Sequence, residues 1–73
     1  MVYVIKNIYL QQYFSGYDWR FCVDDEYECC EWSVLEAGYV ETYTSLEAAQ
    51  KELTRILNGF HYEDFELEIE EVV

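Results

Sequence analysis

Apolar side chains recur at Leu46, Ala49, Leu53, Ile56 and Leu57, the spacing of one helix face. Thr44-Ser45-Leu46-Glu47 overlaps the start of this stripe and fits a capping box, with Thr44 as the cap and Glu47 at the third helical position. Asn58-Gly59 supplies a stop. Together these signals predict a helix over residues 45–58. A different period governs the C-terminal stretch. Phe65, Leu67 and Ile69 alternate with Glu66, Glu68 and Glu70. That alternation predicts a strand with three apolar residues facing the core and three carboxylates on the other face.

Residues 2–8 alternate loosely and are rich in Val, Ile and Tyr, which suits a strand. Val2, Val4 and Ile8 face the core in this reading, with Lys6 interrupting them. Residues 9–14 either continue the strand or wrap around it. Ser15-Gly16-Tyr17-Asp18 is the first turn signal. Residues 19–23 then place Trp19, Phe21 and Val23 on one face, so 2–8 and 19–23 read as an antiparallel hairpin. Residues 24–37 fit two descriptions. As a helix, Asp25 would cap with Glu28 at the third position, and Gly38 would end it. As a strand, Tyr27 and Cys29 alternate, the pattern slips at Cys30 as a bulge allows, and it resumes through Trp32 and Val34. The strand over residues 27–34 is preferred. A turn at Glu36-Ala37-Gly38 then leads into a further strand over residues 39–43. The whole reads as a single α+β domain, residues 1–73. Its sheet is small and mainly antiparallel, with four or five strands packed against one helix.

Charge changes the picture from fold to function. Sixteen residues are Asp or Glu and four are Lys or Arg, a formal net charge of -12. Self-repulsion opposes compaction, so such a surface serves solubility or a partner. Yet 52% of the chain is apolar and 19% aromatic, too hydrophobic for a disordered acidic segment. The three cysteines, Cys22, Cys29 and Cys30, are odd in number and two are adjacent, a poor disulfide framework. They read as apolar fillers in a reducing, cytoplasmic compartment. The start MVYVIKNIYL lacks the features of a signal peptide, and no run approaches a membrane span.

Catalytic and metal chemistry finds little support. The single histidine, His61, and the absence of a CxxC pair leave no zinc spacing. Residues 24–28 offer oxygen ligands but lack the glycine and distal glutamate of a calcium loop. His61 with a cysteine carries no nucleophile signature and suits a helix end instead. Abundant carboxylates do not single out a raised-pKa pair. Without a phosphate-cradling loop or a basic patch, direct nucleic-acid binding is disfavoured. The expectation is a non-enzymatic protein without cofactor or metal, and without membrane contact.

The acids cluster. Asp24, Asp25, Glu26, Glu28 and Glu31 form one group around Tyr27. Glu63, Asp64, Glu66, Glu68, Glu70 and Glu71 form a second beside Tyr62. A regular row such as Glu66, Glu68 and Glu70 can imitate a polyanion and engage the Lys and Arg side chains that ordinarily hold phosphates. Such binding would be electrostatically steered and weakened by salt. The aromatic residues exceed what one helix on a small sheet must bury, so Tyr9, Tyr13, Tyr17, Tyr27 and Tyr62 are candidate interface anchors.

Residues 32–72 resemble, through the motifs that follow, a pattern common in small phage-encoded proteins. Trp32 and Leu35-Glu36-Ala37 precede a strand, Ser45-Leu46-Glu47-Ala48-Ala49 opens a helix, and an acidic strand ends the chain. With its size and acidity, the chain resembles phage anti-CRISPR proteins and other DNA-mimic inhibitors. That resemblance implies a partner in a basic nucleic-acid-binding protein, a CRISPR effector or a nuclease, blocked in its nucleic-acid channel. Two alternatives remain: an immunity protein or antitoxin against a basic nuclease toxin, and a phage structural or assembly protein that homodimerises through its aromatics.

Overall fold

Asn7 turns the chain. The computed structural model describes residues 1–17, 30–60 and 62–72, and in it strand β1 (Val2–Asn7) ends at this residue. The Asn7 Oδ1 accepts hydrogen bonds from the backbone N–H groups of Tyr9 and Leu10, each at 3.1 Å. Short polar side chains of this type stabilise turns by such local bonds. Gln11 closes the turn in the left-handed region, φ 56°, and its N–H donates to the Asn7 carbonyl at 2.9 Å. Strand β2 (Gln12–Tyr17) returns antiparallel, with Lys6 opposite Tyr13 and Asn7 opposite Gln12.

The first hairpin therefore joins β1 to residues 12–17, and not to residues 19–23, which lie outside the described residues. Ser15-Gly16 falls inside β2 and makes no turn. Gly16 has φ 122° and lies where the pairing of β2 shifts register between Phe14 and Gly16. The glycine marks a β-bulge, which needs a backbone conformation that other residues rarely adopt.

Strand β3 (Cys30–Ser33) pairs antiparallel with β2, from Tyr13–Ser33 to Tyr17–Cys30. The strand expected over residues 27–34 is thus present in its described part. The expected turn follows as a 3-10 helical turn, Leu35–Ala37, closed by Gly38 at φ 80°. The strand expected over residues 39–43 is not formed. Only an isolated bridge joins Tyr43 to Tyr3, with reciprocal 2.9 Å hydrogen bonds, and Glu41 N–H donates to the Phe14 carbonyl at 2.9 Å. These bonds tie residues 41–43 to both β1 and β2, beyond the two residue pairs that join those strands directly.

Strand β4 (Leu67–Val72) pairs along all of β1, from Val2–Val72 to Asn7–Leu67. Among the described residues the sheet is four-stranded and antiparallel, in the order β3-β2-β1-β4. With β1 internal, both its faces are covered: Val4 and Ile5 are successive residues and each is 0% exposed. The one-sided expectation of Val2, Val4 and Ile8 therefore misses Ile5, which sits in the main core.

Helix α1 (Leu46–Gly59) lies over one sheet face, and Ala49, Leu53 and Ile56 are its buried residues. Leu53 and Ile56 meet Ile5, Phe14, Cys30 and Leu67 in the core. Burying a large aliphatic or aromatic side chain contributes roughly 1.5–3 kcal/mol. Leu46, at the start of the expected stripe, remains exposed, as does Phe65. Phe65 belongs to a second 3-10 helical turn, Asp64–Glu66, ahead of β4. The alternation that assigned it to the core begins two residues too early.

Aromatic rings extend the core sideways. Tyr17 stacks on Phe60 with centroids 5.4 Å apart, and meets Phe14 edge-on at 5.1 Å. Phe14 meets Trp32 at 5.8 Å, and Trp32 meets Tyr62 at 5.7 Å, both edge-on. The continuous chain Phe60–Tyr17–Phe14–Trp32–Tyr62 absorbs much of the aromatic content. Each such pair adds about 0.5–1.5 kcal/mol beyond its area burial.

The N-cap of α1 is Ser45, one residue later than expected. Its Oγ accepts from the Ala48 N–H at 3.1 Å. Ser45→Ala is therefore expected to lower the unfolding free energy by about 1 kcal/mol, while Thr44→Ala leaves it nearly unchanged. Urea denaturation of the two variants, compared with the parent chain, checks the assignment.

Candidate functional site

The sheet face turned away from α1 gathers carboxylates from distant parts of the chain. Side chains alternate along each strand. Ile5, Leu67 and Phe14 point to the helix, so Lys6, Glu68, Glu70 and Tyr13 take the opposite face, given the pairs Lys6–Glu68, Val4–Glu70 and Lys6–Tyr13. Tyr13 Oη donates to Glu70 Oε1 at 2.9 Å. Lys6 Nζ lies 3.9 Å from Glu70 Oε2. Both oxygens of Glu70 are thus engaged, and Glu68 stays exposed beside them.

Tyr13 reports the local field. Its hydroxyl pKa is raised above the ordinary 10.0, first by the hydrogen bond to Glu70, then by burial, then by the charges of Glu70, Glu36 and Glu68. Negative charge nearby disfavours the phenolate. Glu36 stands in the Leu35–Ala37 turn, far from β4 in sequence, so the fold brings acids from two regions to one tyrosine. Lys6 is the cation in this group. The arrangement leaves exposed carboxylates at Glu36 and Glu68 able to accept a partner's cations.

The expected row of Glu66, Glu68 and Glu70 is not a row. Glu66 precedes β4, in the Asp64–Glu66 turn, where its Oε1 accepts from the Glu63 N–H at 2.9 Å. Its side chain serves a reciprocal capping box with Glu63. Glu63 and Asp64 are exposed beside it, and Glu31 is exposed on β3. Asp24, Asp25, Glu26, Tyr27 and Glu28 lie outside the described residues, as do Cys22, Cys29 and His61. Glu31 is the described member of the first acidic cluster, and Glu36, outside both clusters, adds its charge to the second at Tyr13. No local pattern marks Glu36 for this role, because its proximity to Tyr13 depends on the β2–β3 pairing.

Among the proposed anchors, Tyr9 is 67% exposed. Tyr17 and Tyr62 are packed against the core, and Tyr13 is held by Glu70. The prominent exposed rings also include Tyr39 at 73% and Phe65 at 66%, neither of which was an expected anchor.

A second polar group sits under the helix. Tyr17 Oη donates to Glu52 Oε2, and the Arg55 guanidinium carbon lies 5.3 Å from the Tyr17 ring centroid. Burial, then the Glu52 charge, pushes the Cys30 thiol from its ordinary 9.0 up to about 12. Burial likewise raises Tyr17 and Tyr43, with further contributions from the Tyr17–Glu52 hydrogen bond and from the Glu52 charge at both. Burial therefore keeps Cys30 as a protonated core thiol at neutral pH. Among the described residues, no group of three or more His, Cys, Asp or Glu could hold a metal ion, and no helix is long and apolar enough to cross a membrane.

No protein-family model, curated protein or solved structure matches the chain.

The buried thiol and phenols make stability sensitive to alkali. Cys30 holds its proton more tightly folded than unfolded, so its contribution is whole below pH 9 and is lost as pH rises toward about 12. Tyr17 and Tyr43 act in the same direction from their ordinary 10.0 upward. Denaturation midpoints are expected to fall steadily as pH rises from about 9 toward about 12. Cys30→Val should remove the earliest part of that fall, leaving the tyrosine component, as read by urea titrations at each pH.

Proposed function

We propose that the chain is a non-enzymatic inhibitor of a basic, nucleic-acid-handling protein, such as a CRISPR effector or nuclease, acting in the cytoplasm by presenting carboxylates where that protein binds phosphate. The observation that carries this reading is the sheet face on which Glu68 and Glu70 stand with Tyr13 and Lys6, Glu70 held by both; the charges of Glu36 and Glu68 add to the field at Tyr13. A phosphate-binding surface is a set of positioned cations, and a rigid sheet face with exposed carboxylates complements it. Rigidity matters because acids held by strand pairing lose little entropy on binding. Glu70 is fixed twice, by Tyr13 and by Lys6. The formal charge of -12 extends the attraction beyond contact distance and favours fast encounter.

The test is retention of host proteins on the immobilised chain, with elution across a salt gradient and competition by duplex DNA. The retained protein should be basic, should release between about 0.05 and 0.2 M salt in a graded way, and should be displaced by DNA. The double variant Glu36→Lys, Glu68→Lys should weaken retention by about tenfold or more, with its fold checked by circular dichroism. Retention of no basic protein, or retention indifferent to salt, DNA and the double variant, would overturn the reading.

A further inference from the structure

A pocket of about 310 Å³ opens at the end of the sheet where β1 turns into β2, lined by Asn7, Tyr9, Leu10, Cys30, Trp32, Tyr62 and Glu66. Its size is at the bottom of the range of small-molecule sites, about 300–1,000 Å³. It suits a single side chain better than a cofactor. The Trp32 indole and the Tyr62 ring meet edge-on, and Trp32 Nε1–H donates to Tyr62 Oη at 3.2 Å, which fixes both rings. Tyr9, largely exposed, stands at the lip. Glu66 provides the carboxylate. Its Oε1 is held by the Glu63 N–H, so the group is oriented before any ligand arrives. Glu63 and Asp64, both exposed, flank it in sequence.

We infer that this pocket receives one arginine side chain of a basic protein partner, its guanidinium against the Trp32 and Tyr62 rings and paired with Glu66. Indole and phenol faces attract cations, and arginine more often than lysine. The planar guanidinium is weakly hydrated and pairs with a carboxylate by directed hydrogen bonds. An uncharged side chain would leave the Glu66 charge without a partner. The protein already uses the same contact internally, where Arg55 lies over Tyr17. This inference rests on the basic-partner reading for the identity of the occupant, but its site is separate from the sheet face that carries Glu68 and Glu70 and adds a specific anchor to a diffuse field.

Titration of the isotope-labelled chain with N-acetyl-arginine methylamide, followed at the Trp32 indole N–H by NMR, tests it. Parallel titrations use the citrulline and leucine analogues, which keep the shape or the apolarity without the charge. Saturable shifts with arginine, at least about fivefold weaker with either analogue, are expected. Glu66→Gln should weaken arginine binding by about fivefold or more. Glutamine preserves the acceptor of the capping box, so the turn should stay folded. Equal response to citrulline or leucine, no saturable shift at Trp32, or an unchanged Glu66→Gln variant would overturn the inference. The two readings fail separately. Arginine binding at Trp32 by a chain that retains no basic protein would remove the inhibitor reading alone. Retention that depends on Glu36 and Glu68 but ignores Glu66→Gln would remove the pocket alone.

Discussion

Everything in this fold depends on β1 being hydrogen-bonded along both edges and buried on both faces. Val4 and Ile5 point in opposite directions and neither touches solvent. A one-residue slip of β1 against β4 would send Leu67 to the face turned away from α1 and the acids toward the helix. Six consecutive residue pairs fix that register. Because the acids of β4 are placed by the same pairs, the geometry of the charged face follows from the packing of the apolar one. The core and the candidate site are two sides of one constraint.

The helix could be read in the sequence because its information is local. An apolar stripe and a hydroxyl cap lie close together in sequence; the capping residue moved from Thr44 to Ser45, Leu46 stayed exposed, and the helix runs through the expected Asn58-Gly59 stop to a C-cap at Phe60. The antiparallel α+β class followed from similarly local alternation. What misled was punctuation. Ser15-Gly16 looks like a turn, yet glycine also serves a bulge, and only pairing with β3 decides between them. The true turn is made by the Asn7 side chain and by Gln11 in a left-handed conformation, with no glycine to announce it. Residues 39–43 have strand-like composition, but only Tyr43 finds a bridging partner. Of the site, the excess and clustering of acids were legible. Their division was not: Glu66 departs to cap a turn, Glu70 is engaged by the Tyr13 hydroxyl and the Lys6 ammonium, and Glu36 arrives from another element.

A chain with this charge folds only if burial outweighs self-repulsion. The aromatic chain from Phe60 to Tyr62 supplies large buried surface in few residues. The described acids lie at or near solvent, with Glu52 and Glu70 half-buried and each accepting a tyrosine hydroxyl. Tyrosine is well matched to this task. Its ring contributes to the core while its hydroxyl neutralises no charge but satisfies a carboxylate at the core's edge. Tyr13 and Tyr17 are therefore as much a solution to acidity as a store of contact surface.

The acidic strand has one more effect, on self-association. Among the described strands, β4 lies at the end of the sheet, so its outer backbone groups could template another strand. Glu68, Glu70 and Glu71 make that pairing costly. In two copies aligned edge to edge, opposing side chains would stand about 5 Å apart, and like charges at that separation repel. The charge that works against folding in one molecule thus guards its open edge against growth into fibrils.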